Sequence, residues 1–146
     1  MDEAEAGALL ADSGVARHSR LSFDALSLPG YKLDGQWFEG CTFIGTDLAG
    51  ASLRSALFNG CDFRRADLRG ADLTAAHFLA CDLRRADLRT ADLTGAHFGY
   101  TSAPGYHAKL TNLTHALFEG ATLDRVVMDR VVGWTGPGGD QPGPVR

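Results

Sequence analysis

From Cys41 to Tyr100 the apolar and polar positions repeat in fives: CTFIG, TDLAG, ASLRS, ALFNG, CDFRR, ADLRG, ADLTA, AHFLA, CDLRR, ADLRT, ADLTG, AHFGY. Each block has Leu or Phe third, a position called i below. A small residue stands at i−2: Ala or Cys in every block but one, which has Thr46. A period of five fits neither an amphipathic helix, at 3.6, nor a flat strand, at 2. It fits a chain that turns a corner every five residues. Leu or Phe points inward at each corner, the i−2 residue points inward where no space remains, and the other three positions face water. One pentapeptide cannot bury its own apolar residue, so coils must stack as a solenoid.

Two further series set the size of a coil. Phe38, Phe58, Phe78, Phe98 and Phe118 recur at i in every fourth block, and Cys41, Cys61 and Cys81 recur at the same spacing at i−2. Four pentapeptides per coil give a square cross-section, with like residues stacked at the ~4.8 Å strand spacing.

These blocks resemble the pentapeptide repeat family, whose motif is A-(D/N)-L-x-x; ADLRG at Ala66–Gly70 and ADLTG at Ala91–Gly95 are close matches. The resemblance covers residues 31–133. It implies an all-β fold, a right-handed quadrilateral parallel β-helix. Among functions it implies protein-interaction modules, and DNA mimics that bind type II topoisomerases such as DNA gyrase.

The remaining chain is organised around that solenoid. Residues 1–20 read as an extension, with a short helix over Glu3–Ala11 that either frays or caps the first coil. Residues 21–133 form the repeat. Its first coil is irregular, because Leu21, Leu26, Tyr31 and Gln36 are large for i−2. Over 101–110 the motif fails, yet Leu113, Phe118, Leu123 and Met128 return in phase. That predicts a coil bulged over two sides rather than a long insertion, with Tyr100 and Tyr106 filling or covering the gap. The Gly/Pro-rich residues 134–146 read as a flexible tail.

Composition narrows the compartment and the chemistry. Three cysteines, stacked too far apart for a disulfide, read as free buried thiols. The acidic N-terminus lacks a basic leader, and no apolar run is long enough to span a membrane. A cytoplasmic setting is the expectation. No nucleophile triad, phosphate loop or metal-ligand spacing occurs, so no catalytic residue, metal or cofactor is expected.

Twelve acidic and eleven basic residues between Tyr31 and Val132 make the repeat nearly neutral. That is far from the strong negative field a DNA mimic needs. Arg columns alternate with Asp columns, so direct nucleic-acid binding is not expected. One face departs from this pattern. Its outward i−1 column reads Trp37, Leu57, His77, His97 and Leu117, and no Lys or Arg occupies it or the i+1 column from Glu39 to Glu119. An apolar strip on a charged surface marks a partner site. Two alternatives stay open: a cover formed by the chain's own terminal segment, and a His77/His97 metal or acid–base site. The leading reading is a non-catalytic scaffold that binds a protein partner through this strip and through Tyr100 and Tyr106. The alternatives are a gyrase-directed resistance or immunity protein, and an enzyme using His77 and His97. At the far end Val126, Val127, Met128, Val131, Val132 and Trp134 turn even outward positions apolar. This predicts a homodimer through that end, or else Trp134 folding back over its own coil.

Overall fold

The computed structural model describes residues 1–11, 14, 16–102, 105 and 107–134. The readings for Tyr106 and for the tail beyond Trp134 lie outside the described residues. The chain forms a right-handed quadrilateral β-helix, nearly all-β. Its elements are helix α1 (Glu3–Leu10) and strands β1 (Arg17–Ser19), β2 (Trp37–Glu39), β3 (Leu57–Asn59), β4 (His77–Leu79), β5 (His97–Thr101), β6 (Lys109–Leu110) and β7 (Val127–Met128). Strands β1 to β5 pair in parallel, each step advancing by four pentapeptides: Trp37 on Leu57, Leu57 on His77, His77 on His97. The other three faces are held by single parallel bridges such as Thr42–Asp62, Asp47–Asp67 and Ser52–Asp72. The first, second and third faces are numbered in chain order after each strand, and the strands make the fourth.

Each corner uses the motif residues in a fixed way. The i−1 carboxylate accepts the backbone N–H of i+1, as Asp67 does from Arg69 at 3.1 Å and Asp92 from Thr94 at 3.0 Å. This side-chain turn is what Asp or Asn supplies at that place. The N–H of the next block's first residue then reaches back to the i carbonyl, as Ala66 does to Phe63 at 3.0 Å. Between coils, the i N–H donates upward (Phe63 to Asp82 O, 2.7 Å) and the i−1 N–H donates downward (Asp62 to Cys41 O, 3.0 Å). Backbone polarity is thus satisfied mostly by coil stacking.

The core is a set of parallel columns. Phe38, Phe58, Phe78 and Phe98 stack at 5.2, 5.0 and 5.0 Å between ring centroids. Phe43 and Phe63 form a second stack at 4.7 Å, meeting the first edge-on at 4.9 Å between Phe58 and Phe63. All are fully buried, as are Ala51, Ala71 and Ala91 at i−2. Polar residues at i−2 find partners in the coil below. Thr46 Oγ1 donates to Phe23 O at 2.8 Å, and the Cys61 thiol to Phe38 O at 3.4 Å. The three cysteines are free and buried. The Cys41 thiol is pushed up, first by the Cys61 thiol above it and then by burial. Thiolate chemistry is correspondingly suppressed there.

Helix α1 lies against the first coil. Asp2 and Glu5 form a reciprocal capping box at its start, the arrangement that satisfies two orphan donors at once. Ala6 and Leu10 enter the core, and Gln36 Nε2 donates to Leu10 O at 3.5 Å. The first coil begins at β1, ahead of Leu21, with His18 at the inward position. His18 stacks on Phe38 at 4.8 Å and shares a 2.7 Å hydrogen bond with Gln36 Oε1. Gln36, too large for a regular i−2 corner, thereby links this buried imidazole to the helix.

The expected two-sided bulge over 101–110 is instead an excursion two pentapeptides long. After β5 the chain leaves the solenoid and returns as β6, antiparallel to β5 through Tyr100–Leu110 and Thr101–Lys109. Asn112 then pairs with Asp82, and Val127 with His97, steps of six pentapeptides rather than four. The five-residue phase therefore survives while every later residue moves two faces round. Phe118 sits on the second face, with Leu117 above Asp87, and Met128 occupies the inward place after Phe98. Deleting Thr101–Leu110 joins AHFGY directly to TNLTH, a regular coil junction. The deletion variant is expected to keep its far-ultraviolet circular dichroism and to melt within a few degrees of the intact chain. A broad or lost transition would mean that the excursion holds the last coil in place.

Candidate functional site

The fourth face is the flattest, because only here do outward side chains stand on continuous parallel strands. Inward i residues alternate with outward i−1 and i+1 residues along each strand, the ordinary two-residue strand period. Register places Trp37, Leu57, His77 and His97 in one column, and Val127 continues it. Trp37 is 37% exposed; Leu57, His77, Leu79 and His97 are partly buried. Leu117, expected in this column, is not there: the excursion carries it to the second face, where it is 44% exposed. Val127, which the 20-residue spacing alone would put in the column of Asp47, Asp67 and Asp87, takes the place above His97 instead. The column begins one coil earlier with Arg17, whose guanidinium lies 4.2 Å from the Trp37 ring centroid and pairs with Glu39 at 2.6 Å.

His77 and His97 lie 5.5 Å apart between ring centroids, tilted by 56°. Burial, and then the proximity of His97, lowers the pKa of His77 below its ordinary value and so favours its neutral form. His97 Nε2 is buried without a hydrogen-bond partner among the described residues. Its ring lies over Gly99, where an added Cβ would come within 3.0 Å of Nε2 and 3.1 Å of Leu79 Cδ2. Glycine at 99 thus leaves the room that the edge of the imidazole occupies. Among the described residues no three His, Cys, Asp or Glu side chains converge as a metal site.

Tyr100 is partly buried, paired with Leu110 and covered by Arg130 at 4.5 Å from its ring centroid. The excursion also builds something not evident from the repeat. Lys109 overhangs the corner between the fourth and first faces and walls an open groove of about 560 Å³ along Arg20, Glu39, Gly40, Asn59 and Gly60. Failure of the motif over 101–110 is the sequence signal that points to it.

At the far end, Trp134 is buried and packs edge-on against Phe118 at 4.7 Å, so it covers its own coil. Gly133 makes this possible. It has φ +75°, and a Cβ there would meet the Thr114 backbone at 2.6 Å. Any side chain would block the chain where it leaves the solenoid path. Met128 is buried, Val126 and Val131 are partly buried, and Val132 stays 42% exposed.

A family model described as a pentapeptide repeat region matches residues 32–128. A comparison with curated proteins finds no match. Among solved structures, Rfr23, a pentapeptide repeat protein from the cyanobacterium Cyanothece 51142, is 18% identical, with a TM-score of 0.61 over 81% of this chain and 91% of its own. A trypsin-treated variant of QnrB1, a plasmid-mediated fluoroquinolone resistance protein, is 22% identical, with a TM-score of 0.57 over 79% of this chain and 64% of its own. Identities this low speak for the fold. With the five-residue corner, the four-sided coil and the family match in agreement, the chain belongs to the pentapeptide repeat family.

Proposed function

We propose that this protein is a non-catalytic scaffold that docks a protein partner on its fourth face. The observation that carries the reading is the unbroken outward column Trp37, Leu57, His77, His97 and Val127 on a flat parallel sheet, beside the groove under Lys109. Elsewhere the outward columns are rich in Asp, Arg and Thr that satisfy one another, as in Asp67–Arg69 and Asp87–Arg89 at 2.6 Å. Such exposed pairs keep a surface solvated and add little stability. The apolar column is suited to association instead, with Trp37 and its stacked Arg17 being residue types enriched where interfaces concentrate their energy.

A photo-crosslinking amino acid at Leu57 in the native host should give a discrete adduct, and the same group at Ser52 on the third face should give none. Equal adducts from both positions, or none from Leu57, would remove the proposal. The fold shared with QnrB1 favours a second reading, a gyrase-directed role. The near-neutral repeat speaks against it, and a supercoiling assay with gyrase and a quinolone separates the two. Self-association through the far end belongs here as well. It rests on exposed Val132, since Trp134 is already engaged with Phe118, and sedimentation at tens of micromolar decides it.

A further inference from the structure

On the first face the blocks CDFRR and CDLRR stack, which brings Arg64, Arg65, Arg84 and Arg85 onto adjacent coils. Two of the four are engaged. Arg64 Nε donates to both Asp62 oxygens at 3.0 Å, and Arg84 Nε donates to Asp82 at 2.9 and 3.0 Å. Arg64 also lies 3.8 Å from Asp82, so these groups form one ladder. Arg65 and Arg85 make no ion pair among the described residues. The acids of the neighbouring face are committed too: Asp67 to Arg69 and Asp87 to Arg89, each at 2.6 Å. Asp24, two coils below Arg64, accepts the Ile44 backbone N–H at 2.7 Å and reaches Arg64 only through its field. The corner therefore holds four guanidiniums against two paired carboxylates.

Stacked like charges repel across neighbouring coils. Arg65 and Arg85 adopt the positive φ shared by corner residues throughout the solenoid, Arg20, Ser55 and Arg125 among them, and Gly45 occupies the same place one coil below. Between the four arginines, on a side wall supplied by Ile44, lies a cleft of about 250 Å³ with no acidic residue in its lining. That is slightly below the ~300–1,000 Å³ of ordinary small-molecule pockets, a size for an anionic head group rather than a whole ligand.

We propose that this cleft binds a dianionic phosphoryl group. Two uncommitted guanidiniums match the charge of about −2 on a phosphate monoester at neutral pH. Their planar forks suit its oxygens as paired donors. A phosphodiester, as in a nucleic-acid backbone, has one charge and leaves half of the excess uncompensated. The inference stands on a different face from the partner strip and does not depend on it.

The test is calorimetric titration of the full chain at constant ionic strength and mildly alkaline pH with inorganic phosphate, a phosphoserine-containing peptide and dimethyl phosphate. Saturable binding of inorganic phosphate or of the phosphopeptide is expected, with dimethyl phosphate at least about tenfold weaker. The tighter of the two assigns the source: a free ion or a phosphorylated partner. Arg65→Gly with Arg85→Gly should weaken binding about tenfold or more, the scale of losing a charge-assisted hydrogen bond. Glycine suits the left-handed backbone, so the fold is retained. Lys32→Ala with Arg125→Gly, which removes the same formal charge from the third face without freeing a paired carboxylate, should leave affinity unchanged. No binding of phosphate or phosphopeptide, equal binding of dimethyl phosphate, or equal loss in the third-face variant would each overturn the site.

Discussion

Phe78→Ala should destabilise the protein by about 3–5 kcal/mol, the usual cost of emptying a buried aromatic site. Phe78 is fully buried between Phe58 and Phe98, each 5.0 Å away, and meets Phe63 edge-on at 5.6 Å. Coil spacing is fixed by backbone hydrogen bonds above and below, so the columns cannot slide together to fill the space. The converse substitution tests the same geometry. Ala71→Leu puts a larger side chain where Ala51 and Ala91, also fully buried, occupy the coils on either side. It should cost about 1–3 kcal/mol or more, since overpacking strains a core with no free volume. Urea denaturation measures both, and unchanged midpoints would refute the inward assignment of i and i−2.

Opening the N-terminal end should be comparably damaging. Leu10 is 3% exposed and Ala6 fully buried, both in the same cluster as Phe23, Leu28 and Leu33 of the first coil. Leu10→Asp is expected to cost at least the ~2–5 kcal/mol of a buried Leu→Ala change, because it also brings a carboxylate to an apolar surface. The bared coil end would then expose β1 and the core cross-section, features that promote association. Lower urea midpoint with increased dye binding or aggregation is the expected result. A variant as stable and monodisperse as the parent would mean that α1 does not close the end. The helix is short and does not depend on its own propensity. Its capping box, Glu3 accepting from the Ser27 N–H at 3.0 Å, and Leu10 together hold it in place.

Much of the candidate site is legible in the chain. Spacing alone places Trp37, Leu57, His77 and His97 in one outward column, and register agrees. It misplaces Leu117 and Val127, for one shared reason. Phe118 continues the Phe series in the sequence, and nothing in a five-residue pattern distinguishes a coil of four blocks from one of six. Lys109 falls on the second face by spacing and belongs to the excursion wall instead. Arg17 falls in the extension, because so short a strand before an irregular coil leaves no repeated motif. The role of Gly99 is equally hidden, since it depends on where the His97 ring comes to lie.

The corner belongs to the sequence: which residue points inward, which small residue lies beside it, and why Asp precedes Leu. Those are local requirements, repeated in every block, and a period reveals them. Stacking of the early coils follows from the second, four-block period. Which face each later block occupies belongs to the tertiary fold. An excursion of two blocks preserves every local requirement while rotating the rest of the chain by two sides, so no local signal records it. The same holds for the groove under Lys109 and for Trp134 over Phe118. Each depends on residues brought together by the count of coils, and that count is set by which coil end the returning chain pairs with.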